Sequence, residues 1–363
     1  MWQRRAFLKA AGAGYLAGLL PQQAAAIERT ELIFASAVQL SAGHYAAALL
    51  AEDGGLLATV ALPARGHDVT WSPVTGQAVV FARQPGTFAV VFDPTGIAAP
   101  QTISSAEGRH FFGHGVFSPD GRLLYATEND FEAGRAVVGL FDATDGFRRI
   151  GEFDTHGIGA HDLLLTADGT TLVVANGGIE THPDYGRAEL NLDHMDPSIS
   201  FIDARTGALI GQLRLAADLH QLSIRHMAFD AAGRVWFGCQ FRGAASDRPQ
   251  LVGYATREGN IRLIELPEGP LGALRNYVGS VAASADGARI AVSSPEGNAL
   301  LAIDAASGEV VFSTELADGC GLAPAGSGFL ASSGQGALVG FGGTPTVDAR
   351  LAFGFDNHLR RLG

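Results

Sequence analysis

Five of the 11 histidines recur in similar settings: Gly66-His67, Gly113-His114, Ala160-His161, Arg225-His226 and Asn357-His358. The first four stand four or five residues ahead of a cluster of turn-forming residues. Three more, His110, His156 and His220, lie four to six residues upstream of His114, His161 and His226. Neutral imidazole is the commonest metal ligand and suits iron, copper and zinc. Imidazoles carried by successive repeats can meet on one ion if the repeats radiate from a common axis.

Other groups of matching chemistry sit nearby. Arg65, Asp68, Arg109, Asp162, Arg225, Arg242 and Arg275 are placed to face the same region. Lys9 is the only lysine, so the basic residues of the body are arginines. Arginine grips a carboxylate, a phosphate or a haem propionate with two parallel bonds. Cys320 holds the ring position of one repeat, and Cys239 opens a turn on the same side. A long segment from Gly177 to Pro197 adds His182, Asp184, Glu189, Asp193, His194 and Asp196. Long loops are often functional, and this one reads as a lid. Blander readings stand beside these. A histidine ahead of an inner strand is a structural feature of WD repeats, and an acidic loop can simply be solvated.

The elements that must position these residues follow from two recurring turns. The first is seen in Ser118-Pro119-Asp120-Gly121, Thr166-Ala167-Asp168-Gly169 and Ser284-Ala285-Asp286-Gly287. The second is seen in Ile202-Asp203-Ala204-Arg205-Thr206-Gly207 and Ile303-Asp304-Ala305-Ala306-Ser307-Gly308. Asp and Ser bond nearby backbone, and Gly supplies positive φ. Between the turns lie short β-branched runs such as Leu123–Ala126 and Arg289–Ser293. A four-strand unit repeated along the chain is the mark of an all-β propeller. Six innermost strands are expected near residues 68, 115, 162, 227, 280 and 321. Three strands at the N-terminus (Glu31–Val38, His44–Ala51, Leu56–Leu62) lack an inner partner, and Asn357–Leu362 supplies it. Pairing both chain ends predicts seven four-stranded blades and removes exposed sheet edges. In this geometry the histidines fall on one face, around the mouth of the central channel.

The first 26 residues read as an export leader. Arg4-Arg5-Ala6-Phe7-Leu8-Lys9 precedes an apolar run, then Gln22-Gln23-Ala24-Ala25-Ala26. The paired arginines match a twin-arginine signal, which implies a periplasmic protein. The domain then runs from 27 to 363 with no transmembrane segment. The net charge of −12 excludes nucleic acid as a partner, because that surface must be cationic. Two cysteines permit one disulfide and form no CxxC motif.

The chain resembles a family of twin-arginine-exported bacterial propellers known only as a domain of unknown function. The likeness rests on Arg65-Gly66-His67-Asp68, Gly113-His114-Gly115, Gly159-Ala160-His161-Asp162, Asp193-His194-Met195, Ile224-Arg225-His226 and Phe355-Asp356-Asn357-His358. It implies genes that sit beside those for imelysin-like and di-haem peroxidase-like proteins in iron-responsive clusters. A looser similarity is to the propeller domain of nitrous oxide reductase, whose channel-mouth histidines hold a copper cluster. That enzyme's second domain is missing here.

Three functions follow as expectations. The first is a periplasmic binding protein that handles a metal or haem in iron acquisition, with iron, copper or haem as cofactor. The second is a metal-dependent enzyme, either an oxidoreductase or a lactonase-like hydrolase using Glu128 and Asn176. The third is a platform for protein partners such as an imelysin-like protein.

Overall fold

A computed structural model describes residues 33–362 except 97, 187 and 345. The expected export leader lies outside the described residues. Three strands come first: β1 (Ile33–Ser41), β2 (His44–Ala51) and β3 (Leu56–Leu62). Six four-stranded antiparallel sheets follow in chain order. They are β4 (Gly66–Trp71), β5 (Ala78–Ala82), β6 (Phe88–Phe92) and β7 (Gln101–Ser104); then β8 (Arg109–Phe117), β9 (Leu123–Asp130), β10 (Arg135–Asp142) and β11 (Arg148–Asp154). Next are β12 (Ala160–Leu165), β13 (Thr171–Asn176), β14 (Ser198–Asp203) and β15 (Leu209–Arg214); then β16 (Leu222–Phe229), β17 (Val235–Phe241), β18 (Val252–Ala255) and β19 (Ile261–Leu263). The last two are β20 (Ser280–Ala283), β21 (Arg289–Ser294), β22 (Ala299–Asp304) and β23 (Val310–Glu315), and β24 (Gly319–Ala325), β25 (Gly328–Ser333), β26 (Ala337–Phe341) and β27 (Asp348–Arg350). One short helix, α1 (Glu268–Ala273), precedes β20.

The turn chemistry acts as its residue types suggest. The Ser118 hydroxyl accepts from the Leu123 amide at 2.9 Å, and Gly121 adopts φ 71°. A side chain at Gly121 would be strained in that conformation. Burial peaks in the second strand of a blade and falls towards the rim. The second strands β5, β13 and β25 are buried along their whole length, whereas the outer strands β15 and β23 are largely open. Neighbouring blades stack face to face, so a second strand has no solvated side, and β5 reads as a continuous apolar run.

The seventh sheet joins the chain ends. β1 pairs with β28 (Gly354–Phe355) through Val38 and Phe355, and with β29 (Arg360–Arg361) through Phe34 and Arg361. The Ser36 hydroxyl donates to the His358 carbonyl at 2.6 Å. The inner strand expected at 357–362 is therefore interrupted. The Asp356 amide still donates to the Ala37 carbonyl at 2.8 Å, Asn357–Leu359 then leave the ladder, and the Asp356 and His358 side chains meet the ring of His67.

Five of the six innermost strands from β4 to β24 share a second feature, β20 being regular. Register shifts fall between Gly66 and Val69 in β4, Phe111 and Gly115 in β8, Ala160 and Asp162 in β12, Ile224 and His226 in β16, and Gly319 and Leu322 in β24. Such bulges re-aim side chains. Each lies at a ring position, so two successive residues can serve the channel where a regular strand would offer only one.

Candidate metal centre

Bulged inner strands and the interrupted closing strand bring five imidazoles together. His67, His114, His161, His226 and His358 are all buried; His114 has the other four rings within 5.6 Å of its own, and His358 has three of them at equal range. Its ring centroid is 4.7 Å from each of those of His67, His114 and His226. His161 and His226 are 4.6 Å apart, and His114 and His161 are 5.0 Å apart. Among the described residues, two trios have ligand atoms within 4.8 Å of one another: His67–His114–His358 and His114–His161–His226.

Burial removes His67, His161, His226 and His358 from water and disfavours their charged form. It holds His67 down at about 4, with help from neighbouring His114 and against the pull of Asp356. His161, His226 and His358 also lie well below the ordinary imidazole value, chiefly through burial. Neutral imidazoles are what a transition metal needs.

Carboxylates behind two of the rings, His67 and His114, set their tautomers. Asp356 lies 3.0 Å from His67 Nδ1 and also binds Arg65 at 2.6 Å and Arg83 at 2.9 Å. Asp68 lies 3.0 Å from His114 Nδ1 and is clamped by two bonds from Arg360, at 2.8 and 2.6 Å. Burial opposes ionisation of Asp68, but Arg360, His358 and His114 together outweigh it and hold the carboxyl well below its usual range. Asp162 lies 3.4 Å from the same His114 nitrogen and accepts from the Met227 amide at 2.8 Å. A carboxylate fixes the proton on Nδ1 and leaves the Nε2 lone pair facing inwards. The buried Nε2 atoms of His114, His226 and His358 have no hydrogen-bond partner among the described residues. His161 is different. Its Nδ1 accepts from Arg225 Nη1 at 3.1 Å, because guanidinium can only donate. Its Nε2 therefore carries the proton and is also unpartnered.

A cavity of about 310 Å³ opens beside the cluster and includes His67, His161 and His226 in its wall. The insertion 177–197 forms one side through Ile179, Thr181 and Glu189. It is held down from within: the Asn191 amide donates to the Gly178 carbonyl, and Ile179 and Met195 are buried. Gln84 bonds Thr181 at 2.8 Å, and Arg242 pairs with Glu189 at 2.7 Å.

The remaining candidates do not join the cluster. His110 is not in a connection but inside β8, where it faces the Phe111 carbonyl and the Asn129 amide. His156 and His194 are exposed, and His220 bonds the Ala217 carbonyl on the surface. His182 packs on Phe131 near Glu132. Arg109 belongs to a network with Glu152, Asp130 and Glu128 in the second blade, and Arg275 is exposed. Cys239 lies within β17 rather than at a turn, and both cysteines are free. Burial pushes the Cys320 thiol up to about 12, and its Sγ lies 3.2 Å from the Asp356 carbonyl. Glu128 pairs with Arg149, the Asn176 amide bonds Ser198 and Ser200, and neither residue lines the cavity. Sequence reasoning missed Asp356, Arg83 and Arg360 as parts of the site. Asp356 and Arg360 each lie two residues from His358, and that spacing was the available signal.

Residues 60–362 match a family described as "Protein of unknown function (DUF1513)". No curated protein matches the chain. Among solved structures it is similar to hydrazine synthase of Kuenenia stuttgartiensis, with 13% identity and a TM-score of 0.59 over 81% of this chain and 90% of that one. It is also similar to a chain of the mitotic checkpoint complex, with 13% identity and a TM-score of 0.56 over 79% of this chain and 76% of that one. Likeness at this identity concerns the fold. No helix among the described residues is long and apolar enough to cross a membrane.

Proposed function

The chain belongs to the family described as "Protein of unknown function (DUF1513)", and for it we propose a metal-binding role, with one transition-metal ion held by imidazoles at the channel axis. The observation that carries this reading is the set of buried rings whose inward nitrogens have no partner among the described residues. Buried polar groups are normally bonded, and several orphans facing one point call for a shared partner. His67 and His114 are the best prepared ligands, because Asp356 and Asp68 orient them, and His358 completes their trio. His114 Nδ1 is engaged by carboxylates, so His114 offers a metal only Nε2. The two trios therefore compete for it, which favours one ion over two.

An all-imidazole set suits iron, copper or zinc. Centroid spacings of 4.6–5.0 Å leave space among the rings for an ion and not for a haem. The resemblance to propellers encoded in iron-responsive clusters favours iron. In this reading the protein works in the periplasm, where an imelysin-like protein is a fitting partner. The test is elemental analysis of natively exported protein, followed by anaerobic titration of metal-free protein with Fe(II), Cu(II) and Zn(II). About one equivalent of one metal is expected, lost in a His114→Ala variant. Folded protein that takes up none of the three overturns the reading.

A further inference from the structure

Arg225 stands in an unusual position for an arginine. It extends from the bulge of β16 beside His226 and lines the cavity. Among the described residues it has no carboxylate within ion-pair distance. Its one hydrogen bond goes to His161, and its buried Nε has no partner. The other cations of the site are all matched: Arg65 and Arg83 by Asp356, Arg360 by Asp68, and Arg242 by Glu189. A buried charge without a counter-charge is costly, and a guanidinium with free N–H groups presents a fork for an anionic oxygen pair.

His161 adds a second donor. Arg225 occupies its Nδ1, so its Nε2–H faces into the cluster with no acceptor. That tautomer makes His161 a poor ligand and a good donor to an oxygen atom. Two cavity walls supply further polar contacts through Gln240 and Tyr277. The cavity volume is at the small end for ligand sites, so the occupant is small.

We propose that this cavity binds a small anion through its oxygens, a carboxylate or inorganic phosphate, gripped by Arg225 and by the Nε2–H of His161, with an oxygen directed at the metal. The inference deepens the metal-binding reading and rests on it for the metal contact. A divalent ion among imidazole ligands adds positive charge that no ligand side chain cancels. The anion supplies that cancellation, so metal and anion strengthen each other's binding reciprocally.

The test uses Co(II) as a spectroscopic metal and acetate and phosphate as probes, with calorimetry on metal-loaded and metal-free protein. Acetate or phosphate is expected to alter the Co(II) absorption bands and to bind about tenfold more tightly when metal is present. Which probe binds more tightly separates a carboxylate ligand from phosphate. Arg225→Gln keeps the Co(II) stoichiometry and weakens the anion by roughly tenfold or more. If that variant does not fold, Arg242→Gln serves: it lies at the cavity rim and leaves the Glu189 carboxylate unpaired there, so anion affinity falls as well. Co(II) binding with no response to either anion, or a response unchanged in both variants, overturns the inference and spares the metal site. If Co(II) does not bind, the metal reading fails alone. Calorimetry of the metal-free protein then decides the anion site: Arg225-dependent binding upholds it, and no binding overturns it.

Discussion

Asp68 follows His67 in the chain, yet its carboxylate bonds the imidazole of His114, 46 residues away on the next blade. His67 in turn is served by Asp356 from the closing blade, 289 residues distant. Each of these two imidazoles is thus held by a carboxylate from another blade, and the site exists only when the blades have closed into a ring.

Replacement of Asp68 by Asn tests that arrangement. The variant cannot carry the charge that fixes the His114 proton and balances Arg360. Metal affinity is expected to drop by about ten- to a hundredfold, as when other outer-shell carboxylates are removed. Competition against a chelator of known affinity measures it. An unchanged affinity would show that Asp68 does not orient a ligand.

Gly113 sits immediately before His114 with φ 109°, and a Cβ there would come 2.5 Å from Cδ2 of His67. Gly113→Ala is therefore expected to lower the melting temperature and to displace the His67 ring. Weakened Co(II) binding in protein that remains folded at 20–25 °C (about room temperature, where stability exceeds a single strained residue) is the result to look for. Equal binding would mean that His67 is not a ligand.

The buried imidazoles make the metal-free protein sensitive to acid. His67 has its pKa lowered from 6.5 to about 4 by burial, so the unfolded chain binds a proton that the folded chain refuses. Stability then rises with pH across that window. Acidification from pH 6.5 towards about 4 should lower the melting temperature progressively, with His161, His226 and His358 acting in the same direction. Melting curves across the window check the sign. A flat profile would mean that the rings are solvated.

The second blade offers a test of stability remote from the metal. Glu128 is fully buried and binds Arg149 at 2.7 Å, with Arg109 close by. Glu128→Ala removes one of the two carboxylates that bind Arg149, which keeps Glu152, and should cost about 1–3 kcal/mol. Denaturant unfolding measures the loss. Metal stoichiometry should not change, because Glu128 lies outside the cavity wall.

Much of the architecture was legible because its causes are local. Ser118-Pro119-Asp120-Gly121 and its repeats form turns from their own side chains, so their spacing marked six blades, and the unclaimed strands at both ends marked the seventh. His67, His114, His161, His226 and His358 were recognisable as a ring because each stands at a set distance from such a turn or at the closing strand. Tertiary structure decided the rest. The bulges that turn His161 and Asp162, or Arg225 and His226, towards one region leave no mark in residue type. Nor does composition tell that His182 and His194 lie outside the cluster while Arg225 enters the site without a carboxylate. Those outcomes depend on which side chains meet across blades, and such meetings are set by closure of the whole ring and not by any stretch of chain within it.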